Sequence, residues 1–264
     1  MSIIENHLIG LLPSDDRIHL LAHCEPVELI LAEALCKQGG SASYAYFPRQ
    51  SSISLLAEDL NHHQLEIGVA GCEGMLGAHL AWGTAVDPLH ALVQRPGLAW
   101  RIRAEAFRGE LSNNKPLQLV VHQYLSVLMR QWASSAVCMR FHPLGGRLAS
   151  RLLIEHDHVC ADDFHVTHEF LAHMLGVRRV SITMAAGALQ SRGLIEYHRG
   201  RVVVLDRGGL EAMACVCYAA NRQIYADTLG EWRISPAMSV PSAKSCDAAC
   251  AAARNLDHAV LGPD

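Results

Sequence analysis

The 264-residue sequence contains no run of about 18 apolar residues, the length a bilayer-spanning helix requires, so no membrane span is expected. Its opening residues, Met1 to Arg17, lack a basic segment leading into a long apolar one. That argues against a secretory leader and predicts a cytoplasmic protein. None of the nine cysteines belongs to a CxxC pair. Their odd number and their scatter over Cys24, Cys36, Cys72, Cys138, Cys160, Cys215, Cys217, Cys246 and Cys250 argue against a disulfide framework. Cys215 and Cys217 have no matching second pair, and the 16 histidines show no HExxH spacing, so no residue is assigned to a metal. GxSxG and Walker-type loops are missing too, which predicts a protein that is not an enzyme. Net positive charge is also lacking: the formal balance is −4. Any contact with nucleic acid must therefore rest on local charge.

What is present suits two globular domains of mixed α+β class. Half the residues are hydrophobic, and the length exceeds that of most single domains. Ile4 to Leu21 reads as a helix with Leu8, Leu11, Leu12 and Leu20 as its apolar positions. Short runs at Val27–Leu31, Ser52–Leu56, Leu65–Val69 and Ala91–Gln94, separated by turn residues, predict a barrel or sandwich of short strands. Gly39, Gly40, Gly71 and Gly74 are expected where a turn needs positive φ. From Lys115 to Phe141 the period becomes helical, and Val121, Leu125, Leu128, Trp132, Ser135 and Met139 form one stripe. The stripe suits packing against the preceding strands or pairing with a second subunit, and both readings stay open. Pro143 then breaks the helix and marks a hinge and domain boundary. Helical spacing resumes at Leu144, with Leu148, Leu152 and Leu153. The expected division is 1–141, then 142–230, then a flexible tail over 231–264 in which Ala248–Arg254 could make a short helix.

The most informative segment lies between Asp162 and Asp206. Thr167 is suited to cap a helix, Leu171 and Leu175 share one face, and Ala172 is small where helices cross. Gly176 ends the helix in a left-handed conformation, and Val177 and Ile182 plug the angle to a second helix over Arg178–Arg192 that buries Ile182, Ala185 and Leu189. This is helix-turn-helix spacing. Thr167, His168, Arg178, Arg179, Ser181, Thr183 and Met184 would face double-stranded DNA, with Arg179 suited to guanine O6 and N7. Gly193 to Tyr197 and Val202 to Leu205 form two strands of a wing joined by His198–Arg201, which adds Arg199 and Arg201. Six arginines and two acids between Arg178 and Arg207 leave a local excess of four positive charges.

With these residues in place, the sequence resembles the Crp/Fnr family of bacterial transcription regulators over roughly residues 8 to 225. The resemblance implies an N-terminal cyclic-nucleotide-binding-like β-roll, a long dimerisation helix and a C-terminal winged helix-turn-helix. It implies a homodimer bound to an inverted-repeat operator, with RNA polymerase as a further partner, and it makes Val121, Leu125, Leu128, Trp132 and Met139 the dimer seam. It also points to Gly71, Glu73, Gly74, Met75 and His90 as the lining of an effector pocket. The family's arginine–serine pair is replaced near His90 and Ala91, so a cyclic phosphate would lack its charged partner, which argues against cyclic AMP. Cys24, Cys36 and Cys72 do not reproduce iron–sulfur spacing, which argues against a cluster and leaves the effector unknown. Val180 and Met184 depart from the family's best-known recognition helix, so its half-site is not assumed here. The alternatives are a constitutive DNA-binding dimer with a degenerate pocket and a protein-interaction module that uses the winged helix.

Overall fold

The computed structural model describes residues 6–159 and 162–232. The tail from residue 233 with its Ala248–Arg254 segment, and Cys160, Cys246 and Cys250, lie outside the described residues. Pro13 divides the expected first helix into α1 (His7–Gly10) and α2 (Ser14–Ala22). Proline has no N–H to continue a helical ladder. Leu8, Leu12 and Leu20 are buried as expected, but Leu11 sits at the break and faces solvent.

Seven strands follow: β1 (Glu25–Leu29), β2 (Ala34–Cys36), β3 (Tyr44–Pro48), β4 (Ser52–Glu58), β5 (Gln64–Ala70), β6 (His90–Arg95) and β7 (Gly97–Arg103). They form two antiparallel sheets, β1-β7-β3 and β2-β6-β4-β5, rolled around Ile53, Leu55, Tyr46, Leu76 and Val93. The expected β-roll is present. β2, β3 and β7 were not legible as periodic runs, and neither was α3 (Ala104–Asn113).

Three of the four glycine expectations need correction. Gly39 does take positive φ, at 79°, but Gly71 and Gly74 do not. They are required by close packing instead. A Cβ on Gly71 would meet Glu73 Oε2 at 2.6 Å, and one on Gly74 would overlap the Tyr124 hydroxyl. Gly40 likewise lacks positive φ, and its Cβ would press on the Lys37 carbonyl oxygen.

Asn114 starts α4 (Lys115–Phe141) by accepting from Leu117 N at 2.9 Å. Its 27 residues span about 40 Å at 1.5 Å per residue. Val121, Leu125 and Leu128 lie in the chain's own first core beside Phe107 and Phe47, so the packing reading of the stripe holds for them. They are therefore not available as a seam to a second subunit. Trp132 is half-buried against the roll, and of the five named seam residues only Met139 is exposed. The face of α4 that remains open carries Leu119, His122, Ser126, Met129, Ala133, Ala136 and Arg140, again at intervals of three and four.

After the non-helical His142, α5 (Leu144–Val159) begins the second core, which also contains Phe164, Leu171, Ile182, Leu194, Val202 and Leu210. The last two helices among the described residues are α8 (Arg207–Met213) and α9 (Val216–Leu229). α9 straddles both cores: Tyr218 packs into the second, while Tyr225 and Leu229 pack into the first. The two cores are further joined by buried charge. Arg151 on α5 places Nε 2.8 Å from Glu66 Oε1 on β5 and Nη1 2.6 Å from Glu155, and all three side chains are 5–7% exposed. Ser54 donates to Glu66 Oε2 at 2.6 Å, and Gln94 donates to Glu155. No helix among the described residues is long and apolar enough to cross a membrane.

Candidate nucleic-acid interface

The recognition unit is assembled as its sequence dictates. Thr167 accepts from Phe170 N at 3.1 Å and starts α6 (His168–Leu175). Gly176 closes that helix at φ 62°, and Arg147 of α5 caps its C-terminus by donating to Leu175 O at 2.6 Å. α7 (Arg179–Ser191) then packs Ile182, Ala186 and Leu189 into the second core. The expected third contact, Ala185, is only half-buried, because the helix rotates one position further and Ala186 takes the inner place. Ala185 borders an open cavity of about 440 Å³ that Leu144, Met184 and Met213 also line.

The wing is a hairpin of β9 (Ile195–His198) and β10 (Arg201–Val204) with a third strand, β8 (Asp163–His165), on the other side of β10. His198 pairs with Arg201, so the loop is only Arg199–Gly200, shorter than expected. Both loop residues have positive φ, 48° and 84°, which is the pattern of a type I′ turn. β8 carried no sequence signal, since three residues are too few to show alternation.

The named DNA-facing residues cluster on one surface but differ in freedom. Arg178, Thr183 and Met184 are exposed, Ser181 is half-buried, and Arg199 projects from the wing tip. Arg179 is 70% exposed and lies 3.6 Å from Glu169, an exposed pair that holds it only weakly. His168 is a positioning group: its Nδ1 is 3.0 Å from Thr183 Oγ1, and its ring lies 4.2 Å from that of Tyr197. Burial, helped by the nearby Arg179 charge, pushes the His168 imidazole below its ordinary value. Arg201 is bound to Asp163 at 2.8 Å. Arg207 faces away, tied to Asp157 at 2.7 Å and Glu211 at 3.0 Å. The surface charge is therefore smaller than the arginine count implies. Asp163, Glu169 and Tyr197 were not singled out in the sequence, because their roles arise from contacts across the domain.

The proposed pocket residues are engaged within the chain. Glu73 accepts from Gly71 N at 2.9 Å and pairs with His158 of α5 at 3.0 Å. Burial alone would raise the Glu73 carboxyl, yet the facing imidazole holds it below its usual range. Burial alone would lower His158, and the Glu73 charge holds it above its usual range. Met75 is fully buried, Gly74 lies against Tyr124, and His90 pairs with Glu58 at 2.7 Å. Glu73 and His90 are thus bound to different partners.

Residues 146–213 match a family model described as a Crp-like helix-turn-helix domain. Among curated proteins no sequence matches the chain. Solved structures are similar in fold at low identity. A Crp/Fnr-family transcriptional regulator from Eubacterium rectale is 17% identical with a TM-score of 0.62, over 79% of this chain and 99% of that one. A Crp-family regulator from Thermus thermophilus is 18% identical with a TM-score of 0.60, over 71% and 96%. The c-di-GMP-responsive global regulator CLP of Xanthomonas campestris is 18% identical with a TM-score of 0.57, over 73% and 99%. Roll, long helix and winged unit recur in this chain in that order, so residues 146–213 form a Crp-like helix-turn-helix domain and the chain has the fold of the Crp/Fnr regulators.

Proposed function

We propose that the chain regulates transcription by binding an inverted-repeat operator as a homodimer. The observation that carries this reading is the exposed N-terminal turn of α7, where Arg178, Arg179, Thr183 and Met184 surround a helix end beside the Arg199 wing tip. A recognition helix enters the major groove with this turn foremost. Arg199 is positioned for a phosphate, and Arg179 for a guanine edge. Val180 and Met184, both exposed, give this surface an apolar character suited to thymine methyl groups. Replacing Arg179 by Ala is expected to cost about 1–3 kcal/mol of discrimination against wrong bases. Binding measured on operator and mismatched duplexes at fixed salt checks this, and unchanged selectivity would reject the base-reading role.

The open stripe of α4 supports the dimer, with Leu119 at 59% and Met129 at 57% exposure. Long apolar side chains on a straight helix face are a natural partner for the same face of a second copy. Met129→Glu is expected to give monomers in analytical ultracentrifugation. Dimers that persist at low concentration would remove this face from the interface. Within the roll, a cyclic phosphate needs a cationic partner, and neither Glu73 nor the Glu58-bound His90 offers one. That supports a sensor that does not take cyclic AMP.

A further inference from the structure

Four side chains that carried no signal as separate residues meet where α4 ends. Cys138 and His142 lie one helical turn apart and share a face. Cys215 and Cys217 lie on either side of Val216, where the chain enters α9. The Cys215 N–H is held by Gly146 O at 3.1 Å and Ser150 Oγ at 3.1 Å, which fixes this loop against α5. The Cys138 and Cys215 sulfurs are 3.4 Å apart, and Cys217 Sγ is 3.4 Å from His142 Nδ1. All four donor atoms lie within 4.8 Å of one another, and each residue is half-buried.

These distances are those of a single small coordination sphere. Zinc bonds of about 2.3 Å to sulfur and 2.0–2.1 Å to nitrogen put tetrahedral donors about 3.5–3.8 Å apart. Three thiolates and one imidazole make a closed structural set, and their softness selects zinc over magnesium or calcium. Ser150 Oγ lies 3.1 Å from Cys215 Sγ, where its hydroxyl can donate to the sulfur as an outer-shell partner. A disulfide between Cys138 and Cys215 would use two of the four donors and leave the Cys217–His142 contact without a purpose.

We propose that Cys138, His142, Cys215 and Cys217 form a tetrahedral zinc site. It joins the last turn of α4 to the loop after α8, on the two sides of the Pro143 hinge. An ion there would restrict how the winged unit turns against the long helix, and its occupancy would set the relative orientation of the two.

The site is tested on the full chain, reduced and stripped of metal, by titration with cobalt(II) followed by zinc(II). One equivalent of cobalt per chain is expected, with thiolate charge-transfer and tetrahedral d–d bands that zinc abolishes. Cys217→Ser should lose these bands while circular dichroism stays unchanged, and Cys24→Ser should keep them. Absence of thiolate bands in the reduced wild-type chain, or equal bands in Cys217→Ser, would overturn the site. This readout involves no DNA, so it succeeds or fails independently of operator binding.

Discussion

Arg151→Met is expected to lower the stability of the folded chain by about 3–5 kcal/mol, the usual consequence of removing one member of a buried ion cluster. Arg151 is the only cation within ion-pairing distance of both Glu66 and Glu155 among the described residues. Without it, two carboxylates remain buried side by side between β5 and α5. Burial already raises the Glu66 carboxyl despite the arginine, so the variant forces a proton onto one of the acids. The sign of the pH dependence follows. A carboxyl whose folded pKa lies above its unfolded value favours the folded state below the unfolded pKa and loses that contribution as pH rises. The deficit of the variant should therefore shrink toward acid. Urea denaturation at neutral and mildly acidic pH measures it. A loss below about 1 kcal/mol at neutral pH would mean that water reaches the cluster, as it does in surface pairs. Adding Glu66→Gln should recover part of the loss by removing one uncompensated charge.

Ile182→Ala should cost about 2–5 kcal/mol and abolish the proposed operator binding, because a large fully buried side chain holds the angle between α6 and α7. The vacated volume lies between two short helices that Gly176 and the Arg147 cap already hold, so little collapse can fill it. Thermal unfolding followed by circular dichroism measures the loss. A contrast variant fixes the rotation of α7. Ala186→Leu overpacks the core and should cost about 1–3 kcal/mol, whereas Ala185→Leu extends into the open cavity beside Met213 and should be close to neutral. Equal costs at the two positions would contradict the observed helix face.

The helix-turn-helix was legible because several local requirements coincide within a few residues: a threonine cap, a glycine at the αL position and an isoleucine at the crossing. The face proposed to meet a second copy was not. α4 is apolar on two sides, Val121 and Leu125 toward the roll and Leu119 and Met129 toward solvent, and periodicity cannot tell which side meets its own chain. The segment Gly71–Gly74 was legible as a turn, but its glycines serve close contacts with His158 and Tyr124 that lie far along the sequence. Arginine counting overestimated the charge of the wing because Asp163, which neutralises Arg201, belongs to β8, a strand that pairs with β10 but precedes α6 and α7 in sequence. The Cys138–Cys217 cluster joins two short spacings across the whole winged unit, and no local pattern reveals such a pair.

The position of α9 also orders events during synthesis. Tyr225 donates to the Glu73 carbonyl at 2.6 Å across 152 residues of sequence, and Leu229 is buried in the same core as Leu8 and Leu12. Chains emerge from the ribosome N-terminus first, and domains generally fold in that order. Here the roll emerges early with part of its apolar surface uncovered, and it waits for nearly the whole described chain before that surface is sealed. The winged unit, whose contacts are mostly local, can fold in the interval. The first domain to be made is thus the last to be finished, and its open flank is the segment most in need of protection on a nascent chain.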